Sequence, residues 1–215
     1  MKSIVRSALM GLCATAFVLL VLTNSLQAQG VVTGTGEIAG NVGFSNLTGV
    51  DGNKHVNFGA SAGYNLSDKL TVLGEFSYMP MGSVNASVSG GSGSAHGNYQ
   101  TYGGAARYNL GSSKSVVPYA VVGFGYARCS ESANINVTGL GSGSASASIN
   151  GDYVNFGGGA SIYLKKGFGL RPEFRYEHQE FYNSGASAGQ NVALGSVSVF
   201  YQFGGQGKKK KATNN

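Results

Sequence analysis

Apolar and polar residues alternate with a period of two along most of the chain, and this pattern predicts β-strands. In segment 55–66, for example, Val56, Phe58 and Tyr64 alternate with His55 and Asn57. Eight such segments occur, at 36–46, 55–66, 70–79, 99–110, 116–128, 152–164, 171–180 and 192–203. The fifth segment is apolar on both faces, so the pattern leaves its orientation open. Because no sustained apolar repeat of 3.6 residues accompanies them, we expect a single all-β domain.

The connections between these segments alternate in length. Short connections follow the second, fourth and sixth segments, at 67–69, 111–114 and 165–167. Long connections rich in Gly, Ser and Asn separate the other segments, at 47–54, 80–97, 130–148 and 183–190. Short turns on one rim and long loops on the other are typical of an outer-membrane barrel with an even number of strands.

Three stretches carry a family resemblance: PYAVVGFGYA at 118–127, LRPEFRYE at 170–177, and a last strand that ends in Phe203. In these stretches the chain resembles the small eight-stranded outer-membrane barrels of the OmpA/OmpX type, that is, a porin-like outer membrane protein β-barrel domain. The resemblance implies an eight-stranded, antiparallel, up-and-down transmembrane β-barrel in the outer membrane of a Gram-negative cell envelope. It also implies an assembly signal in the terminal strand that the barrel-insertion machinery reads, formed by Val197, Val199, Tyr201 and Phe203. The chain departs from the family pattern in one respect, because GGQGKKKKATNN follows Phe203.

The N-terminus has the order of a secretory signal peptide, with Lys2 and Arg6 before the apolar run at 8–22. We predict a signal peptide at 1–28 with cleavage near Ala28, the alternative being a retained N-terminal anchor. The barrel domain is then expected at 30–207. A basic tail follows at 208–215, which an even number of strands places in the periplasm.

The net charge of +6 and the pI of about 9.3 come mainly from the two ends of the chain. Once Lys2, Arg6 and the run Lys208–Lys211 are set aside, bases and acids in the body are equal in number. A nucleic-acid surface would need a basic patch on the body, so we expect no nucleic-acid partner.

The segment RPEFRYEHQE at 171–180 places charges on one face of a strand and mainly apolar residues on the other. An arginine that faces lipid at mid-bilayer costs about 2–4 kcal/mol, so in a membrane barrel the charged face must point inward. Six residues are therefore expected to form a charge network in the lumen: Glu75, Arg107, Arg171, Glu173, Arg175 and Glu177. A soluble lipocalin-like ligand-binding barrel, with these faces reversed, is the alternative.

Aromatic residues near the strand ends predict two belts at the membrane interfaces. The belt beside the short turns comprises Tyr64, Tyr108, Tyr119, Tyr163 and Phe168. The belt toward the long loops comprises Phe44, Phe58, Tyr78, Tyr102, Tyr153 and Phe181.

For the function, the sequence favours a structural or weakly porin-like outer-membrane barrel without catalysis. His96 and His178 are conceivable bases, but no pair of ligands has the spacing of a metal site, and we expect no cofactor. The alternative is a surface interaction or adhesion protein that uses the long Gly/Ser loops. The expected partners are outer-membrane lipids, the insertion machinery during assembly and an extracellular partner at the loops, and we expect a monomer.

Overall fold

Eight antiparallel strands form one closed barrel in which each strand pairs with its neighbours in sequence and β8 pairs with β1. The computed structural model describes residues 30–47, 54–111, 115–139, 141–164, 167–183 and 186–204, so the predicted signal peptide and basic tail lie outside the described residues. The strands are β1 (Thr35–Leu47), β2 (Lys54–Asn65), β3 (Leu70–Val88), β4 (Gly91–Asn109), β5 (Val116–Val137), β6 (Gly141–Tyr163), β7 (Phe168–Asn183) and β8 (Ala186–Gly204). The predicted eight-stranded all-β fold is thus confirmed. In the described ranges no helix has the length and apolar character needed to cross a membrane.

The register of the barrel is staggered. If paired residues are followed from strand to strand around the barrel, the path that starts at Glu37 of β1 comes back to β1 at Leu47. The register therefore shifts along β1 from position 37 to position 47 in one turn around the barrel. Such a stagger tilts the strands by roughly 35–45° to the barrel axis. Eight strands enclose an interior that side chains can fill.

The barrel exterior is apolar up to a sharp boundary. On β5 the outward side chains from Val116 to Tyr126 are apolar, and the next outward residue is Arg128. On β6 the same change falls between Val154 and Asp152. Ten residues at about 3.3 Å each, tilted by roughly 40°, span about 25 Å, which is the height of the lipid-facing band of outer-membrane barrels.

The aromatic belts are only partly as predicted. Seven of the eleven rings lie outside the lumen: Phe44, Phe58, Tyr64, Tyr78, Tyr102, Tyr108 and Phe168. Tyr119, Tyr153 and Tyr163 are instead buried inside the barrel, and Phe181 packs against the interior as well. Alternation explains the difference, since a ring near a strand end faces lipid only when its position falls on the outward side.

Three of the long connections are strand rather than loop over most of their length. In the predicted loop at 183–190, Asn183 ends β7 and residues 186–190 already belong to β8. The predicted loop at 80–97 continues β3 and β4 as a hairpin, and the predicted loop at 130–148 continues β5 and β6 in the same way. These four strands therefore project beyond the rest of the barrel wall. Their Gly/Ser composition favours loops, but regular pairing with neighbouring strands extends the sheet through these residues.

Candidate functional site

The lower part of the lumen contains a buried ionic cluster centred on Glu37. Arg107 donates two hydrogen bonds to the two carboxylate oxygens of Glu37, at 3.1 and 2.9 Å. Arg171 donates another to Glu37 Oε1 at 2.7 Å. The side chains of Glu37, Arg107 and Arg171 are only 1%, 1% and 4% exposed. One carboxylate thus pairs with two guanidinium groups away from water, and the cluster keeps an excess positive charge.

The surrounding residues hold these guanidinium groups in place. Thr71 Oγ1 accepts a hydrogen bond from Arg107, and Ser161 Oγ accepts one from Arg171 Nε at 3.2 Å. Both guanidinium groups lie over the ring of Tyr119, at 5.5 and 5.9 Å from its centroid. Such cation–π contacts contribute more when the groups are desolvated, as they are here.

A second ionic cluster lies nearer the middle of the lumen and has the opposite stoichiometry. Arg175 donates to both carboxylate oxygens of Glu75, at 2.7 and 2.8 Å, and its Nε donates to Glu173 at 2.7 Å. Tyr119 Oη donates to the other oxygen of Glu173 at 2.7 Å, and thereby links the two clusters. These charged side chains are 11–18% exposed, so the cluster is less desolvated than the one at Glu37.

Glu177 lies above the second cluster and is held by neutral groups. Its carboxylate accepts hydrogen bonds from Gln179 Nε2 at 2.7 Å, Asn155 Nδ2 at 3.2 Å and Tyr99 Oη at 3.3 Å. The residue is 4% exposed. Neutral donors satisfy the lone pairs of a buried carboxylate without a cation.

Layers of buried, mainly apolar side chains lie above and below these polar groups in the lumen. The lower layer consists of Val31, Val117, Tyr163 and Phe200, in which the two rings pack edge to face with centroids 5.2 Å apart. The upper layer consists of Leu47, Met79, Tyr99, Ala127, Tyr153 and Val192. Between the layers the lumen retains a polar cavity of about 90 Å³. The described interior is therefore packed rather than open from end to end.

Several glycines on the inner face make room for these large side chains. A Cβ on Gly159 would lie 2.6 Å from Tyr119 Oη, and a Cβ on Gly169 would collide with the ring of Phe200. Real Cβ atoms do not approach other atoms so closely. The glycine-rich sequence of β6 is in part a consequence of the filled lumen.

All six residues predicted for the charge network lie on the inner face of the barrel. The structure divides five of them between two clusters: Arg107 and Arg171 belong to the lower one, whereas Glu75, Glu173 and Arg175 form the upper one. Glu177 makes no ion pair with an arginine in either cluster. Glu37 was not predicted to belong to the charge network, although it lies on the polar face of the first segment.

The terminal-strand residues Val197, Val199, Tyr201 and Phe203 all point outward on β8. The Tyr201 ring packs against Phe168 and Phe203, with centroids 4.6 and 6.2 Å away. That the insertion machinery recognises these four residues stays a prediction.

The two histidines considered as bases, His96 and His178, lie on the outside of the barrel. His178 Nδ1 lies 2.8 Å from Asn191 Oδ1 on the exposed exterior, and His96 lies on the outer face of the β3–β4 hairpin. Among the residues that the structure describes, no group of three or more His, Cys, Asp or Glu side chains could hold a metal ion.

Comparison with known proteins identifies the family. Residues 15–204 match the family model described as outer membrane protein beta-barrel domain. Among solved structures, Neisserial surface protein A is 15% identical with a TM-score of 0.55, over 79% of this chain and 96% of that one. A major outer membrane protein from Thermus thermophilus is 12% identical with a TM-score of 0.51, over 79% and 98% of the two chains. No curated protein matches the chain.

Proposed function

The chain belongs to the outer membrane protein β-barrel family, and we propose that it serves in the bacterial outer membrane as a structural barrel whose lumen is closed to solutes. The main support for this proposal is that apolar layers lie at both ends of the lumen, with two ionic clusters between them. A conducting barrel needs a continuous polar path, and eight strands leave little room for one beside the side chains. The charge network then acts as a packed plug that stabilises the barrel.

The purified and refolded protein should give no steady single-channel conductance in planar bilayers. The upper layer alone places Met79, Tyr99 and Tyr153 across the lumen, and ions would have to cross it without water. Folding is checked on the same sample by the mobility difference between heated and unheated protein in gels, and a large porin recorded under the same conditions controls for the bilayer. Steady unit currents that change in size in a Tyr99→Ala/Tyr153→Ala variant would contradict the proposal.

The partners proposed for this role are lipids and assembly factors. The apolar exterior band fits the outer-membrane hydrocarbon, and the outward residues of β8 would be presented to the insertion machinery. A monomer satisfies both contacts, because the closed barrel leaves no unpaired strand edge within the band.

A second candidate function is contact at the cell surface. What favours it is that four paired strands project beyond the barrel wall, at positions where the sequence predicts long loops. This function and the structural role are compatible, because one uses the exterior sheet and the other the lumen.

A further inference from the structure

Parts of β3 to β6 form a four-stranded sheet above the barrel, which we call the projecting sheet (residues 82–88, 91–97, 131–137 and 141–147). Its four strands pair with one another along their whole length. On the barrel side the pairing starts at Gly82 of β3, and at the tip it reaches Gly141 of β6. Neighbouring strands do not reach it on either side. β2 begins to pair with β3 only at Tyr78, and β7 begins to pair with β6 only at Asn150. Within the described part of the chain, the projecting sheet therefore has two free edges, one on β3 and one on β6.

The two edges differ in their ability to pair with the strand of another molecule. Pro80 directly precedes the β3 edge, and the register of β3 shifts between Pro80 and Gly82, where the glycine has a φ of 88°. Proline and a β-bulge are two devices by which natural proteins block edge pairing. The β6 edge, residues 141–149, begins at Gly141, which also has a positive φ, of 100°, but the edge has no proline, no charge and no register shift in its pairing with β5. An edge of this length would present unpaired backbone N–H and C=O groups to a partner strand.

The sequence of the β6 edge is self-complementary in an antiparallel sense. In GSGSASASI, pairing about Ala145 places Ser142 opposite Ser148, Ser144 opposite Ser146 and Gly143 opposite Ala147, while Gly141 at the end of the edge lies opposite Ile149. The serines share the outer face with Asn134 and Ser132 of β5, so the polar face would continue across the junction. A two-fold axis through Ala145 gives a closed pair rather than an open chain of copies.

We infer that the β6 edge of one copy pairs antiparallel with the β6 edge of a second copy in a facing membrane, so that the projecting sheets join two outer membranes. β6 runs from the tip of the projecting sheet toward the barrel, so copies in one membrane would bring their β6 strands together in the same direction. Only copies that point toward each other can pair antiparallel. The inference rests on the second candidate function above and does not depend on whether the lumen conducts.

A single pair of nine-residue edges buries little surface and is expected to bind weakly. Two membrane faces that carry many copies would nevertheless bind firmly, because each pair formed holds the next pair at high effective concentration. The fitting readout is therefore the clustering of vesicles that carry many copies, rather than dimer formation in detergent.

The test is a charge exchange at Ser144 and Ser146, both exposed on the outer face. The full chain, refolded into phosphatidylcholine vesicles labelled in two colours, should form mixed-colour clusters. Ser144→Lys/Ser146→Lys vesicles, and separately Ser144→Glu/Ser146→Glu vesicles, should cluster about tenfold less, since like charges would lie directly opposite each other in two places. Mixing the lysine vesicles with the glutamate vesicles should restore clusters that contain both colours.

The matched control is Ser132→Lys/Asn134→Lys, which places the same charges on the same face but one strand away from the edge. It should cluster like the unsubstituted chain at physiological salt, where charges further apart than about 8 Å are largely screened. The inference is overturned if the unsubstituted chain does not cluster, if the lysine variant clusters as well as the unsubstituted chain, or if the mixture stays dispersed. Conductance of the same preparations tests the closed lumen separately.

Discussion

Replacing Glu37 by glutamine should lower the free energy of unfolding of the barrel by about 3–5 kcal/mol, the loss typical of breaking a buried ion pair. The glutamine has nearly the same shape and retains hydrogen-bonding capacity, so the main change is electrostatic. Arg107 and Arg171 would both lose their only ion-pair partner in the described lumen while they remain at most 4% exposed. Against a typical total stability of about 5–15 kcal/mol, this is a large fraction.

The measurement is the urea unfolding midpoint of the refolded protein in lipid vesicles. Glu173→Gln is the matched control, because Arg175 would keep its two hydrogen bonds to Glu75 and the loss should be clearly smaller. Combining Glu37→Gln with Arg171→Met should recover part of the loss, since one unpaired guanidinium group is then removed. Equal effects of Glu37→Gln and Glu173→Gln would show that the lower cluster is not the electrostatic centre of the lumen.

Replacing Phe174 by arginine should destabilise the barrel by about 2–4 kcal/mol, because the guanidinium group would face hydrocarbon. Phe174 is 59% exposed on the outward side of β7, between Gly158 and Gly195 on the neighbouring strands. No described acidic side chain lies on this part of the exterior to pair with it. The same unfolding measurement in vesicles gives the value.

Two variants on the same strand control for the size and position of the new side chain. Phe174→Leu keeps an apolar group at the site and should change stability little. His178→Arg lies on the same face but beyond the apolar band, where an arginine meets water or head groups. If Phe174→Arg and His178→Arg prove equally tolerated, the outward face of β7 does not meet the hydrocarbon.

The period of two was sufficient to predict the strands and, for seven of them, the direction of each face. The fifth strand shows why alternation has a limit. β5 is apolar on both sides because Val117, Tyr119 and Val121 fill the lumen while Val122 and Phe124 meet lipid. Hydrophobicity does not distinguish a packed interior from a bilayer, so only the closed barrel assigns these positions.

The charged side chains of the lumen were predictable as inward residues, but their partners were not. Glu37 and Arg171 are 134 positions apart and meet only because the strand tilt brings β1 and β7 positions to the same height. Glu37 was overlooked because it is a single acid in a short polar face, unlike the four charges of β7. The stagger depends on how all eight strands pair around the barrel, so it cannot be predicted from the local pattern of apolar and polar residues.

The projecting hairpins bear on how the chain enters the membrane. From Pro80 to Tyr99 the only ionisable side chain other than tyrosine is His96, and from Ser130 to Gly151 it is Glu131. During insertion both hairpins must pass from the periplasm through the bilayer, and every charge they carried would oppose that passage. Serine, glycine and asparagine are polar enough for tips that lie in water outside the cell. Because they are uncharged, they do not raise a large energy barrier to crossing the bilayer. The composition that resembles a disordered loop is thus also that of a segment suited to translocation.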